Sequence, residues 1–491
     1  MDHNSLRVVT RYAPSPTGFQ HIGGIRTALF AYLFAKQHNG TFILRIEDTD
    51  KSREVAGAIE HTIEALCWLG LDYDFGPDKP GSFGSTLQSD RLDIYKQYAQ
   101  QLIAKGLAYP DPYTAEELAD FRSQADADNK PFLYRQHRPT EFGVWDGTTA
   151  LRFKVPEIKR YTWQDAVRGE MTAGEEMLDD IIIMKADGYP TYNFAHIVDD
   201  YEMGVTHIMR GEEFISSTPK FLSIYDALEI PYPVFVTLPP IMGPDGKKKL
   251  SKRDGAKDLL DYRADGYLPE TMINFLALIG WNPGTEQELF SHDELLANFR
   301  ISQIQRSGGA FNEDKLAWMN KEYLRKLSET EFRSYLEPVL NPLLTKVSSA
   351  VKEQIERLVP TWRERIHHRH ELQAELAAGE YDYVLADISY DASLLQWKND
   401  TTLEVVRPRL EHVRTLLEDA IDFSSSEAIK AVLWPYAETV GKGEVLWPLR
   451  VALSGRERSP DPFTLAYILG KSTTIERIAK ACDKIDNDDT T

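Results

Sequence analysis

Cysteine is nearly absent from the chain, which has only Cys67 and Cys482 among its 491 residues. The two residues form no CxxC pair, so a structural zinc site is not expected, and their scarcity favours a reducing compartment such as the cytoplasm. No apolar run is long enough to cross a bilayer, so no membrane association is expected. Residues 1–7 are polar, and we therefore expect no signal peptide. Internal repeats are also lacking.

Positively charged residues are the minority: the chain has 56 lysines and arginines against 76 aspartates and glutamates, which gives a net charge of −20. Such a balance normally speaks against a nucleic-acid partner. It does not exclude one, since binding depends on where the basic residues cluster. A chain with 42% hydrophobic and 27% charged residues is typical of soluble globular proteins, and its length predicts two to four structural units.

What is present is organised around the run RYAPSPTGFQHIGG at residues 11–24. A β-branched run at 8–10 precedes it, an apolar helical segment follows at 25–38, and an alternating, strand-like segment follows at 41–46. The order strand, loop, helix, strand predicts the start of a parallel α/β sheet, with the loop at the carboxyl end of the first strand.

The chemistry of this loop suits an anion. Gly18, Gly23 and Gly24 would let a ligand approach the backbone, and the free N–H groups at the start of the following helix favour negative charge. His21 could donate to a phosphate, or it could simply cap the helix. Neither GxGxxG nor GxxxxGK[ST] is present, so neither standard phosphate fingerprint applies.

Further along, strands are predicted at 181–184, 206–210 and 234–238, with a helix at 218–228. Arg210 ends its strand, which is where open α/β sheets bind ligands. Glu47 follows the second strand and could face an ammonium group or belong to an acidic turn. Tyr192 could face the same crevice or pack in the core.

Two regions differ from this sheet pattern. Residues 88–189 are interpreted as an α/β insertion, and residues 326–491 as an all-α domain interrupted near Pro360, Gly379, Pro408 and Pro435. The cluster WRERIHHR at 362–369 could stack on unpaired bases, although helix packing explains it nearly as well. The basic residues of the insertion could line a nucleic-acid groove, but such charges usually form a solvated surface: Arg135, His137, Arg138, Arg152, Lys154, Lys159 and Arg160.

A lysine-rich run, KKKLSKRDG, lies at residues 247–255 after Gly243. It could be a basic surface loop, the commonest explanation of such a run. It could also be a mobile clamp for a triphosphate, with lysines as point charges and the Ser251 hydroxyl as a hydrogen-bond donor.

The runs at 11–24 and 247–255 resemble the signature motifs of a known enzyme family. In their order along the chain, PSPTG with HIGG (14–18 and 21–24) and KLSKR (249–253) resemble the HIGH and KMSKS signature motifs of class I aminoacyl-tRNA synthetases. The similarity covers essentially the whole chain and is narrowed to the bacterial-type glutamyl-tRNA synthetases by the runs RTALF at 26–30, RIEDTD at 45–50, TYNFA at 191–195, LSKRDG at 250–255 and LRVALSG at 449–455.

The resemblance implies a Rossmann-like α/β class I synthetase catalytic domain split by an α/β insertion, and an all-α C-terminal anticodon-binding domain. The expected boundaries are 1–87 and 190–245 for the catalytic domain, 88–189 for the acceptor-stem-binding insertion, 246–325 for a stem-contact region with the KMSKS-like loop, and 326–491 for the anticodon-binding domain.

The implied activity is that of a glutamate–tRNA ligase. ATP and L-glutamate give glutamyl-adenylate and pyrophosphate, and the glutamyl group passes to the 3′-terminal adenosine of tRNA(Glu). Activation is expected to require bound tRNA, with Mg²⁺ accompanying ATP and with no zinc. A cytoplasmic monomer is expected.

The resemblance also assigns roles residue by residue, and it assigns no metal ligand. His196 departs from the asparagine or small aliphatic residue of relatives and receives no role. The implied sets are His21, Lys249 and Lys252 for catalysis; Arg11, Ala13, Ser15, Glu47, Tyr192 and Arg210 for glutamate; His21, Gly23, Gly24, Glu213, Ser251 and Lys252 for ATP; and Pro14, Gly24, Lys249 and Arg253 as the limits of the two motifs.

Three alternatives stay open at this point. The enzyme could also charge tRNA(Gln), it could activate glutamate for a different acceptor such as a modified tRNA base, or it could bind nucleotides without catalysis. The long helical C-terminal region argues against the second alternative. The presence of His21, Lys249 and Lys252 argues against the third.

Overall fold

The computed structural model describes residues 7–250, 257–398 and 400–488. They form two compact units, which divide between Met319 and Asn320. In the described part of the chain, no helix combines the length and the apolar composition that a membrane span needs.

The first unit contains both sheets and helices. Its strands are β1 Val9–Tyr12, β2 Thr41–Leu44, β3 Ala108–Pro110, β4 Leu151–Phe153, β5 Tyr161–Asp165, β6 Gly169–Ala173, β7 Ile182–Met184, β8 His207–Gly211, β9 Val234–Leu238, β10 Ile241–Met242 and β11 Gly309–Ala310. Its helices are α1 Ile22–Gln37, α2 Ala58–Trp68, α3 Leu92–Ala104, α4 Ala115–Ala127, α5 Tyr192–Glu202, α6 Thr218–Leu228, α7 Leu259–Asp265, α8 Pro269–Leu278, α9 His292–Asn298 and the start of α10 Glu313–Lys326.

The larger sheet has the strand order β2-β1-β8-β9-β5-β6. Its neighbours are parallel except for the antiparallel pair β5 and β6. The chain leaves β1 for β2 on one side, whereas β8 lies on the other side of β1. The carboxyl ends of β1 and β8 therefore flank a point where the winding direction reverses, and such points form ligand crevices in α/β sheets.

The range 88–189 contributes strands to two of the three sheets of this unit. Strands β3, β4 and β7 form a separate antiparallel sheet. Strands β5 and β6 instead extend the large sheet, and the alternating buried residues of β5 (Tyr161, Trp163 and Asp165) pack into its core. The sequence did not predict this extension, because alternation shows which face is buried but not which sheet a strand joins.

Helix α1 is packed into the core along most of its length, as its apolar sequence predicts. It begins at Ile22, earlier than the apolar pattern indicated, because His21 supplies the N-cap. Strand β2 ends at Leu44 rather than at residue 46, and Ile46 forms only an isolated bridge to Leu87. The predicted helix 218–228 and strand 234–238 are found at those bounds.

The second unit is helical throughout its described residues, as the sequence predicts. Gly379 and Pro408 lie at helix ends, but Pro360 and Pro435 lie inside helices, so the breaks predicted at these two prolines are wrong. Its helices are the end of α10, α11 Glu329–Tyr335, α12 Glu337–Leu344, α13 Ser349–Arg365, α14 Arg369–Ala377, α15 Asp382–Leu385, α16 Arg407–Asp419, α17 Ser426–Val440, α18 Lys442–Ser454 and α19 Pro462–Asp488.

Candidate active site

A cleft of about 650 Å³ opens at the carboxyl ends of β1 and β8. Its volume lies in the range of small-molecule sites. Ser251, Lys252 and Arg253 fall outside the described residues. The other residues assigned from the sequence all line this one cleft: Arg11, Ala13, Pro14, Ser15, His21, Gly23, Gly24, Glu47, Tyr192, Arg210, Glu213 and Lys249.

One end of the cleft is the start of helix α1. The Nδ1 atom of His21 accepts a hydrogen bond of 3.0 Å from the backbone N–H of Gly23. A neutral ring that accepts at Nδ1 carries its proton on Nε2. The histidine therefore caps the helix and can also present an Nε2–H donor to a ligand, so the two sequence interpretations are compatible.

The glycines beside His21 are needed for packing within the protein. A Cβ on Gly23 would lie 2.9 Å from Cε1 of His21, and a Cβ on Gly24 would lie 2.6 Å from the Tyr12 hydroxyl. By contrast, a Cβ on Gly18 would meet no heavy atom within 4 Å. Only Gly18 thus keeps open space of the kind that the close-approach hypothesis requires.

The lysine-rich segment borders the same end of the cleft. The N–H of Leu250 donates to the carbonyl of Ile241 (2.8 Å), which places Lys249 on the cleft wall. Lys249 Nζ lies 3.7 Å from Glu213 Oε1, with side chains 64% and 55% exposed. An ion pair this exposed contributes little, so Lys249 can exchange Glu213 for a bound phosphate.

The residues that follow the undescribed segment 251–256 return to the first loop. Asp258 Oδ1 lies 2.7 Å from Nε2 of His61, and the N–H of Leu259 donates to the carbonyl of Gln20 (3.1 Å). Asp258 also forms a backbone bridge with His21. The lysine-rich run is therefore flanked on both sides by residues close to the HIGH-like loop.

A buried charge network reaches the cleft wall at Arg11 and Glu47. Arg11 Nε donates to Asp200 (3.0 Å), and Arg45 donates to both Asp200 (2.6 Å) and Glu47 (3.0 Å). Burial opposes ionisation of Asp200, but the two guanidinium groups outweigh it and lower its pKa to about 2. Burial raises the pKa of Glu47 against the pull of Arg45 and Arg11.

Arg210 is a buried cation that lacks a carboxylate partner among the described residues. It is 7% exposed, lies among the rings of Phe214, Phe221 and Phe235, and donates to the Thr218 hydroxyl (3.1 Å). Nη1 of Arg210 has no hydrogen-bond partner among the described residues, and burial lowers the pKa of the guanidinium. A desolvated guanidinium at a cleft wall favours an anionic ligand.

Tyr192 forms part of the wall between these arginines. Burial raises the pKa of its hydroxyl, which therefore stays protonated. The ring stacks on His196 with a centroid distance of 4.7 Å, and His196 Nδ1 lies 2.7 Å from the Tyr192 carbonyl oxygen. Burial lowers the pKa of His196 to about 3, so the imidazole is neutral near pH 7.

Comparison with known proteins agrees with this geometry. The sequence model for the catalytic domain of class I tRNA synthetases (E and Q) matches residues 7–318, and a model for an anticodon binding domain matches residues 323–482. The chain belongs to the class I tRNA synthetases of the E and Q group. The predicted fold class, a class I catalytic domain followed by a helical anticodon-binding domain, is confirmed.

Relatives of this synthetase match it over nearly the whole length of both chains. A glutamate–tRNA ligase of Clostridium botulinum (strain Hall) is 40% identical over 490 residues, covering 98% of this chain and 99% of that protein. One of Dehalococcoides mccartyi (strain CBDB1) is 40% identical over 486 residues, covering 98% of each. A crystal structure of a glutamate tRNA ligase from Elizabethkingia meningosepticum in complex with its amino acid is 33% identical, with a TM-score of 0.85 over 98% of this chain and 100% of that one.

Three buried residues of the synthetase site were not assigned from the sequence: Arg45, Asp199 and Asp200. Asp199 accepts hydrogen bonds from Arg91 (2.8 Å), Gln88 (2.8 Å) and the Tyr95 hydroxyl (2.9 Å). The available signal was an aspartate pair within the apolar run of α5, since buried carboxylates are nearly always paired. The sequence does not identify the cations with which Asp199 and Asp200 pair.

Two of the basic residues considered for a nucleic-acid groove are paired with carboxylates of the insertion. Arg138 pairs with Asp180 (2.7 Å), and Arg152 pairs with Asp111 (2.6 Å). Trp362, in the basic-aromatic cluster, is fully buried, so base stacking on it is wrong. Among the described residues, no group of three histidines, cysteines or acidic residues is arranged to hold a metal ion.

Proposed function

We propose that this synthetase is a glutamate–tRNA ligase that activates L-glutamate with ATP and charges tRNA(Glu). The observation that carries the proposal is the composition of the single cleft. Its lining combines donors and a cation for a polyphosphate, from His21, the start of α1 and Lys249, with two arginines and a carboxylate for an amino acid with two acidic groups. The relatives named glutamate–tRNA ligase support the same substrate.

Recognition of glutamate is proposed to rest on charge complementarity. Arg11 and Arg210 face the two carboxylates of the substrate, and Glu47 faces its ammonium group. Ser15, Ala13 and Tyr192 complete the wall. Glutamine would place amide N–H groups against a cation and leave that cation uncompensated, which is the kind of mismatch that gives strong discrimination.

Activation needs positioning and charge stabilisation rather than a protein nucleophile. The α-carboxylate of glutamate attacks the α-phosphorus of ATP, a P–O bond forms, and the bond to the leaving pyrophosphate breaks. His21 and the free N–H groups of α1 hold the nucleotide. Lys249, Lys252 and Ser251 stabilise the transferring phosphate and the leaving group. Gly23, Gly24 and Glu213 border the nucleotide, and Mg²⁺ accompanies it.

Transfer follows on the same face of the sheet. The 2′-hydroxyl of the terminal adenosine attacks the adenylate carbonyl, an ester forms, and AMP leaves. We propose that residues 88–189 bind the acceptor stem, that residues 246–325 contact the stem, and that the helical unit binds the anticodon. That unit has a cavity of about 770 Å³ whose lining includes three arginines, one half-buried tyrosine and four carboxylates: Arg357, Arg365, Arg458, Tyr467, Glu364, Glu380, Glu427 and Asp461. The arginines and the Tyr467 ring are suited to unpaired bases. A cytoplasmic monomer remains our expectation.

Parallel charging assays test the function. Purified protein is incubated with ATP, labelled glutamate and either tRNA(Glu) or tRNA(Gln). Glutamyl-tRNA(Glu) is expected, and replacing glutamate with glutamine should abolish charging. Product on tRNA(Gln) as well would identify a non-discriminating enzyme. Absence of product with both tRNAs would contradict the proposal.

A further inference from the structure

Arg26 is, with Arg11 and Arg210, one of three buried guanidinium groups that line the cleft, and the proposed reaction gives it no role. It lies one turn into α1, after the His21 cap, and is 3% exposed. Like Arg210, it has no carboxylate within salt-bridge distance among the described residues. A buried cation is costly unless its surroundings use it, so its contacts call for an explanation.

Those contacts are backbone carbonyls from two remote segments. Arg26 Nη1 donates to the carbonyl of Ile279 (2.9 Å), and Nη2 donates to the carbonyl of Pro239. Ile279 follows α8, and Pro239 follows β9. The planar fork of one arginine thus joins helix α1 to both segments at the wall of the cleft.

The Pro239 segment leads to the lysine-rich run. Pro239, Pro240 and Ile241 line the cleft, and Ile241 accepts the N–H of Leu250 (2.8 Å). Met242 forms a backbone bridge with Lys249. Arg26 therefore connects the helix that His21 caps to the strand that presents Lys249.

We propose that Arg26 is a positioning residue that sets the gap between the two nucleotide-binding segments. It acts through its two-carbonyl fork rather than by placing charge on ATP. This inference rests on the proposed function. Displacement of about 1 Å between groups that must hold one substrate can cost on the order of 100-fold in rate, so loss of the fork should affect ATP use far more than glutamate binding.

Two substitutions at Arg26 test its contact with the two carbonyls. A third substitution, at Gly280, disturbs the same contact from a neighbouring residue. Arg26→Lys keeps the charge but replaces the planar two-nitrogen fork with a single nitrogen on a shorter side chain, and Arg26→Met removes both donors. Gly280→Ala keeps Arg26 but places a methyl 3.2 Å from its Nη1 and 3.0 Å from Pro239 Cγ, and the φ of +96° at Gly280 adds backbone strain, so its Tm is compared with those of the Arg26 variants. The control is Lys36→Met on the same helix, whose partner is Asp74 (2.9 Å) and which does not line the cleft.

The measurement is the rate of tRNA charging as a function of ATP and, separately, of glutamate, together with the rise in Tm that glutamate alone produces. We expect all three variants to lose about 10-fold or more in kcat/KM for ATP, with KM for glutamate and the glutamate-induced rise in Tm close to those of the control. The lysine variant is the milder change and keeps the comparison possible if the methionine variant folds poorly.

Three results would overturn the inference. The variants could match Lys36→Met; ATP and glutamate constants could worsen in parallel, which would indicate a general structural role; or Arg26→Lys could retain the wild-type ATP dependence, which would indicate a role for the charge alone. Failure of the wild-type protein to charge tRNA would instead contradict the proposed function.

Discussion

Asp200 illustrates, at the scale of single residues, how a side chain that need not touch the substrate can govern its binding. It holds Arg11 and Arg45, and Arg45 in turn holds Glu47. Asp200→Asn removes the negative charge between two buried cations. We expect a loss of stability of about 3–5 kcal/mol and a KM for glutamate raised roughly 10- to 100-fold, the equivalent of a lost charge-assisted hydrogen bond.

Steady-state charging and urea unfolding measure these two effects. The matched control is Asp74→Asn, because Asp74 pairs with the partly exposed Lys36 and does not line the cleft. A KM for glutamate in Asp200→Asn equal to that of the control would show that the network is not needed to orient Arg11 and Glu47.

His196 makes the stability of the folded protein depend on pH, in a direction that follows from its lowered pKa. Its pKa in the folded protein is about 3, against an ordinary value of 6.5. Below pH 6.5 the unfolded chain binds a proton that the folded protein does not accept, so stability falls as the pH falls. The free energy of unfolding should drop by about 1.4 kcal/mol per pH unit between about pH 6 and pH 4 because of this residue.

Urea unfolding of wild-type protein and His196→Gln across that pH range checks the expectation. The glutamine variant should lose less stability than the wild type on acidification. Identical slopes for the two proteins would contradict a buried, neutral His196.

The site residues differ in how far the sequence could reveal them. His21, Arg210 and Lys249 lie at strand ends, at a helix start or in a basic run, which are positions with recognisable chemistry. Asp199 and Asp200 lie inside a helix, where local sequence says that they need cations but does not identify Arg11, Arg45 and Arg91. Pairing over that distance is a property of the fold.

At the scale of elements, the start of α1 makes a prediction about its glycines. Gly23→Ala would place a methyl 2.9 Å from His21 Cε1 and displace the ring. We expect kcat/KM for ATP to fall about 10-fold or more. Gly18→Ala, which meets no heavy atom within 4 Å, should fold as the wild type does, with any loss confined to the KM for ATP.

Thermal unfolding and ATP titrations of charging distinguish the two glycines. A Gly23→Ala enzyme with the wild-type ATP dependence would contradict the role given to the His21 cap. An unstable Gly18→Ala protein would contradict the open space at that position.

Elements with clear periodicity and clear ends were predicted well, as helix α6 and strand β9 show. Errors arose where an end depends on contacts remote in sequence. The strand-like pattern predicts that β2 runs to residue 46, but the strand ends at Leu44 and Ile46 pairs with the distant Leu87. Pro360 and Pro435 were read as breaks, yet helices α13 and α17 continue through them, so tertiary packing outweighs the local cost of proline.

At the scale of the whole molecule, a protein of net negative charge is proposed to bind tRNA, which is also negatively charged. Local clusters of positive charge must therefore determine where the tRNA binds. The exposed Arg458 lines the cavity of the helical unit. Arg458→Gln should raise the KM for tRNA about 3- to 10-fold, the effect of roughly 1 kcal/mol, without changing the KM for ATP. Its neighbour Glu457→Gln, which alters charge in the opposite direction, should not raise it. Equal effects of the two variants would contradict a local contact.

The HIGH-like and KMSKS-like runs are proposed to act on one ATP beside the glutamate site, and tRNA-dependent pyrophosphate exchange in Lys252→Ala measures whether they do. The matched control is Lys247→Ala, in the same run but not on the cleft wall. We expect the exchange rate to fall about 100-fold or more in Lys252→Ala, with folding and glutamate binding intact and with the control near wild type. Unchanged exchange in Lys252→Ala would contradict this proposal.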